Sequence, residues 1–235
     1  MSIKVVLFDL DGTLLPMDQS VFMKRYFGAL ARRLARRGYE PEKLISAIWQ
    51  GTAKMVANDG SATNEDVFWQ EFCRIFGERA RDDMPEFEAF YREEFPSVSD
   101  ACGHDPAAAP AVRAIRDMGY RVGLATNPLF PSMATECRMS WAGLSPADFE
   151  VFTTYENSGF CKPNPAYYLD VARRMGAEPS ECLMVGNDVA EDMVAAATGM
   201  QVFLLTDCLI NKENKDIDQY PHGSFPELLE FVRAL

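Results

Sequence analysis

Four short runs along the chain are almost wholly apolar: residues 3–8, 122–125, 182–185 and 202–205. Runs of that length without alternation predict strands covered on both faces. Each stops at turn-forming polar residues: Asp9-Leu10-Asp11-Gly12, Thr126-Asn127-Pro128, Gly186-Asn187-Asp188 and Thr206-Asp207. Between the runs, apolar positions recur at helical spacing, predicting helices over 106–118, 165–175 and 189–198, with Gly119, Gly176 and Gly199 just past their ends. A last helix is expected over 227–235. Strands alternating with helices of this length predict an α/β fold with a doubly wound parallel sheet.

The rhythm breaks between about residues 18 and 95, where no strand-like run occurs. Helical patterns there cover 21–37, 41–57, 64–76 and 85–95. The expected organisation is a catalytic core of residues 1–17 and 97–235, with a helical module, 18–96, inserted after the first strand. There is no internal repeat.

Composition narrows the classes. The 235 residues are 48% hydrophobic, enough for a sizeable core. The net charge of −12 argues against a nucleic-acid or anionic-membrane partner. It still allows a small anionic substrate, because a local field can oppose the global one. The six cysteines form no CxxC pair, so reduced thiols and a cytoplasmic location are expected. Asp9 and Asp11 interrupt the first apolar run, which therefore does not read as a signal peptide.

The chemistry sits at the strand ends. Ligands of open parallel sheets bind outside the carboxyl ends of the strands. There the first strand offers Asp9 and Asp11, the second Thr126 and Asn127, and a later one Asn187 and Asp188, with Asp192 four residues on. Lys162, just before a predicted helix, is within reach of the same crevice. Asp9, Asp11 and Asp188 are hard oxygen donors without a histidine or thiol beside them, a set that suits Mg²⁺. An aspartate is ionised near neutrality and needs no base before attacking phosphorus. Lys162 would draw charge off the phosphate oxygens, and the Thr126 hydroxyl would hydrogen-bond to them. Asp11 would protonate the leaving oxygen and then activate water.

Asp9-Leu10-Asp11-Gly12-Thr13, Thr126-Asn127, Lys162-Pro163 and Gly186-Asn187-Asp188 with Asp192 resemble, in order, the four motifs of the haloacid dehalogenase superfamily. The resemblance covers the whole core, and the insert resembles that superfamily's α-helical cap. It implies a Rossmann-like core, Asp9 as nucleophile, Asp11 as acid/base with its carbonyl on Mg²⁺, Thr126 and the Asn127 N–H as phosphate holders, Lys162 as charge stabiliser and Asp188 as metal carboxylate. Asn187 stands where many members carry an acid. Asp192 is left as a ligand through water or an orienter of Lys162. The function implied is a Mg²⁺-dependent phosphatase acting on a small phosphorylated metabolite through a phosphorylated Asp9. A phosphomutase shares the core residues. A 2-haloacid dehalogenase usually lacks the second aspartate of the first motif, and a receiver-like signalling module has neither the D-x-D-G-T spacing nor the insert.

Other residues read more plainly. Gly12 lets the chain turn away from the strand end, and Thr13 is open between a local backbone bond and a share in the site. Arg32, Arg33, Arg36 and Arg37 read as solvated residues complementing a helix dipole before Gly38. Trp49 and Trp69 read as core of the insert. His104 and His222 fall outside the constellation. Specificity is expected from the insert and from residues 14–19.

Overall fold

A computed structural model of the protein describes residues 2–235. A six-stranded parallel sheet runs through it, built from β1 (Val5–Phe8), β2 (Arg121–Leu124), β3 (Val151–Phe152), β4 (Cys182–Gly186), β5 (Gln201–Leu205) and β6 (His222–Gly223). The spatial order is β3-β2-β1-β4-β5-β6, which puts the topological switch between β1 and β4.

The apolar runs become strands because both faces are covered. Val6, Phe8, Leu124 and Val185 pack with Val112 and Ile115 of α5 (Ala108–Asp117) and Leu228 of α8 (Phe225–Arg233). Val5, Leu7 and Met184 point the other way, onto Tyr168 and Val171 of α7 (Pro165–Arg174). All four β1 residues are fully buried. In register, Phe8 stands between Leu124 and Val185. Asp9 therefore emerges at the switch point, its N–H donating to Val185 O at 2.9 Å.

The insert folds as helices α1 (Gln19–Leu34), α2 (Pro41–Val56), α3 (Asn64–Phe76) and α4 (Met84–Glu93). Polar caps start three of them. Asp18 accepts from the N–H groups of Ser20 and Val21, Glu40 from those of Glu42 and Lys43, and Thr63 from that of Asp66. Phe22, Leu30, Leu44, Phe72, Phe90 and Phe95 belong to a separate apolar cluster beneath them. Phe72 meets Trp69 and Phe87 edge-on at ring separations of 5.4 and 5.5 Å. The chain leaves and regains the sheet unit through adjacent linkers, with Met17 bridged to Cys102 and Gly103 N–H donating to Pro16 O at 2.7 Å.

Several elements differ from the pattern. The edge strands β3 and β6 have two residues each, too short to show a period. Helix α6 (Ser132–Trp141) carries only a narrow buried stripe. Residues 189–198 do not form an α-helix: a turn leads into a 3-10 helix, Met193–Thr198. The Asp192 carboxylate folds back onto the Asn187 and Asp188 N–H groups at 3.0 Å each, tightening the segment. Arg33 is not solvated. It is largely buried and joins α1 to both ends of α4, through Glu86 in its first turn and Glu93 and Glu94 at its C-terminus, at 3.1, 2.7 and 2.9 Å. Among the described residues no helix is long and apolar enough to cross a membrane, and the six cysteines are unpaired.

Candidate active site

Three adjacent strand ends and one loop meet at Asp9. Lys162 lies on the loop leading from β3 to α7 and is almost fully buried. Its Nζ donates to Asp9 Oδ1 at 2.7 Å and to Asp192 Oδ1 at 2.6 Å. Burial would drive the ammonium toward neutrality, but Asp192 and Asp9 outweigh it and hold Lys162 well above its usual range. For Asp192, burial is the largest effect and raises its carboxyl, while Lys162 pulls the other way. Both Asp192 oxygens are engaged, one by Lys162 and one by two backbone N–H groups. That geometry commits Asp192 to holding Lys162 and the turn.

Thr13, at the first turn, donates one hydroxyl proton shared between Asp9 Oδ2 at 3.1 Å and Asn187 Oδ1 at 2.9 Å. Asn187 is buried, and its Nδ2 donates to Cys208 O at 2.6 Å. Gly12, at φ +88°, lies so close that a Cβ there would meet Asn187 Nδ2 at 2.4 Å. Asn187 thus clamps the first loop to the fourth strand. Thr126 is buried, and its carbonyl accepts from Thr153 Oγ1 at 2.6 Å and Tyr167 Oη at 2.8 Å. Asn127 Oδ1 accepts from the Lys162 N–H at 3.3 Å. Asp188 is half-buried, and its Oδ1 caps the N–H groups of Ala190 and Glu191 at 2.7 and 3.0 Å.

Two charged residues were missed by sequence reasoning. Arg138, on α6, is fully buried and donates from Nη1 to Asp11 Oδ2. Its guanidinium also stacks 4.5 Å from the Phe130 ring centroid. The available signal was the stripe Ala134, Thr135, Arg138, Met139, which puts an arginine on a buried helix face. Burial is the larger influence on Asp11 and raises its carboxyl, against the pull of Arg138. Asp11 Oδ1 is buried without a hydrogen-bond partner, leaving that oxygen for a ligand. Glu191 also faces the cavity, accepting from Asn127 Nδ2 at 3.2 Å, with its carboxyl raised chiefly by burial. His104 and His222 are absent from the lining.

The crevice opens into a cavity of about 320 Å³ roofed by α1–α4. Its floor carries Asp9, Asp11, Asp188, Glu191 and Asp192, while Lys162 and Arg138 are already committed to three of these carboxylates. An anion entering such a floor needs further positive charge. Among the described residues no three His, Cys, Asp or Glu side chains form a preformed metal cage. Mg²⁺ does not require one, because it is usually held by one or two carboxylates together with water and substrate phosphate. The hard oxygen donors of Asp9 and Asp188 fit that demand.

Comparison with known proteins places the chain in a family. The family model described as haloacid dehalogenase-like hydrolase matches residues 3–199. The chain is 26% identical to a glyceraldehyde 3-phosphate phosphatase of Methanopyrus kandleri, over 99% of this chain and 98% of the other. It is 29% identical to a phosphoglycolate phosphatase of Xylella fastidiosa, over 84% of this chain and 77% of the other. In fold it is similar to a 2-haloacid dehalogenase from Pseudomonas syringae, with a TM-score of 0.65 and 21% identity, covering 99% of this chain and 98% of that one.

Proposed function

The chain belongs to the haloacid dehalogenase-like hydrolases, and we propose that it is a Mg²⁺-dependent phosphatase in which Asp9 becomes transiently phosphorylated. The observation that carries this reading is the buried triad at the switch point: Lys162 Nζ bridges Asp9 at 2.7 Å and Asp192 at 2.6 Å, one residue past the central strand. A lone strand-end aspartate would need no buried ammonium beside it. The phosphatase names of two relatives that match most of this chain favour phosphate over halide.

An Asp9 carboxylate oxygen bonds to phosphorus as the P–O bond to the alcohol breaks. The leaving oxygen takes a proton from the Asp11 carboxyl, whose raised affinity for protons suits that task. Water then returns a proton to Asp11 and adds its oxygen to phosphorus. The Asp9–phosphorus bond breaks, and inorganic phosphate departs. Lys162 draws charge from the phosphate oxygens, Asp192 holds Lys162 in place, and Thr126 with the Asn127 N–H positions the phosphate. Asp9, Asp188 and the Asp11 carbonyl would hold Mg²⁺, which supplies charge neutralisation at the phosphate. Asn187 serves the loop clamp and not the metal, since its Oδ1 accepts from Thr13.

The insert, expected over residues 18–96, extends to residue 101 in this reading and acts as the cap. Met17 and Cys102 mark the crossing, and the 3-10 helix Phe95–Ala101 packs with α1. Closing over the substrate, the cap excludes bulk water. The test is p-nitrophenyl phosphate hydrolysis with Mg²⁺, with EDTA, and by Asp9→Asn. Turnover should fall to background in EDTA and in the mutant, and acid quenching should leave phosphate on the wild-type protein alone. Turnover indifferent to both changes would overturn the reading.

A further inference from the structure

The roof above the carboxylate floor has a composition of its own. Phe22, Phe27, Trp49, Phe68, Trp69 and Phe87 from the four insert helices face the cavity, whose volume of about 320 Å³ lies within the range of small-ligand sites. Among the described residues lining it there is no lysine, arginine or histidine. The nearby Arg138 is committed to Asp11 and covered by the Phe130 ring. A carboxylate carried by the substrate would therefore leave water for an apolar wall above a floor already rich in negative charge. Sugar hydroxyls would find few partners on the helical wall: the Tyr26 and Tyr91 hydroxyls bond each other at 2.8 Å, which leaves Gln19, Thr52 and the indole N–H groups of Trp49 and Trp69.

Trp49 makes the second, independent point. It is 50% exposed, the wrong place for a core residue, yet it lines both the cavity and the outer groove of α2. Its ring leans on Phe27 at 5.5 Å and 60°. A half-exposed indole held at a cavity mouth is a surface for a flat, apolar guest.

We propose that the organic part of the substrate is a planar aromatic group, so that the enzyme takes arylalkyl phosphate monoesters in preference to phosphorylated hydroxyacids or polyols. This rests on the phosphatase reading. It also sets the chain apart from the two relatives named for glyceraldehyde 3-phosphate and phosphoglycolate.

Leaving-group reactivity must be matched, so the comparison is benzyl phosphate and 1-naphthylmethyl phosphate against glycerol 1-phosphate and phosphoglycolate, all alkyl esters, with saturating Mg²⁺. The arylalkyl esters should show kcat/KM higher by about ten-fold or more, given the apolar area a ring buries. Trp49→Ala, at a half-exposed site, should raise KM for 1-naphthylmethyl phosphate about five-fold more than for glycerol 1-phosphate. Equal or better turnover of phosphoglycolate or glycerol 1-phosphate would overturn the proposal. Failure of the phosphatase reading looks different, because then no ester turns over. Binding to the wild-type protein decides the substrate class even so: benzylphosphonate tighter than phosphonoacetate supports it, and the reverse order overturns it.

Discussion

A guanidinium sealed from water is costly unless its charge is answered, and Arg138 is answered by Asp11. The pair sets two properties at once. It fixes the direction of the Asp11 carboxylate, and it moderates the rise that burial imposes on that group. Removing only the cation should be worse than removing both charges. Arg138→Met is expected to cost about 3 kcal/mol of stability, because it leaves the Asp11 carboxylate without the guanidinium that answers it. Adding Asp11→Asn should return much of that loss, and a double-mutant cycle by chemical denaturation measures the coupling. Equal costs for the single and double variants would show that the pair is incidental. Asp9, Asp11 and Lys162 could be picked out from the chain because the two aspartates follow an apolar run and Lys162 directly precedes Pro163 and a predicted helix. Arg138 could not, because its importance comes from which face of α6 is buried, and that face is decided by contacts far away in sequence. Trp49 escaped for the converse reason: helical spacing marks it as a core position, but the cavity opens beside it.

At the scale of elements, the strands that carry the site were legible because burial on both faces leaves an unbroken apolar run. β3 and β6 were not, since two residues cannot show a pattern. Residues 189–198 were misread as an α-helix for a reason tied to function: Asp192 bends back to hold Lys162 and the turn amides, so side-chain bonding displaces the regular ladder. That bend requires a glycine at the end of β4. A Cβ on Gly186 would meet Asp192 Cγ at 2.2 Å and its Cβ at 2.5 Å, so rotation of the carboxylate alone gives no relief. Gly186→Ala should therefore cost about 2 kcal/mol as an overpacked site. It should also lower kcat far more than it changes KM, since Lys162 loses its anchor. Thermal unfolding and steady-state kinetics check the two parts. A stable variant with unchanged kcat would mean that Lys162 does not depend on Asp192.

In the whole molecule, the helical roof and the charge stabiliser share one loop. The segment between β3 and α7 carries Lys162, and it also receives the roof: Tyr155 O accepts from the Glu65 N–H at 2.9 Å, and Ser158 O from the Asn64 N–H at 2.8 Å. The buried Asn64 side chain completes the joint, donating to Pro128 O at 3.1 Å and Cys161 Sγ at 3.2 Å while accepting from Asn58 Nδ2 at 2.9 Å. One asparagine thus ties the start of α3 both to the loop after Thr126-Asn127 and to the residue before Lys162. Asn64→Ala strips those bonds from a buried joint and should cost about 2 kcal/mol. The loss should be local, because the sheet keeps its own core. By hydrogen exchange, the amides of Asn64 and Glu65 should open faster, while those of β1 and β4 keep their protection. If the roof's seat sets the position of Lys162, kcat should fall in the same variant with Asp9 and Mg²⁺ binding unchanged. If the amides open but kcat holds, the loop carries roof and catalytic lysine independently, and closure of the roof has to act on the substrate alone.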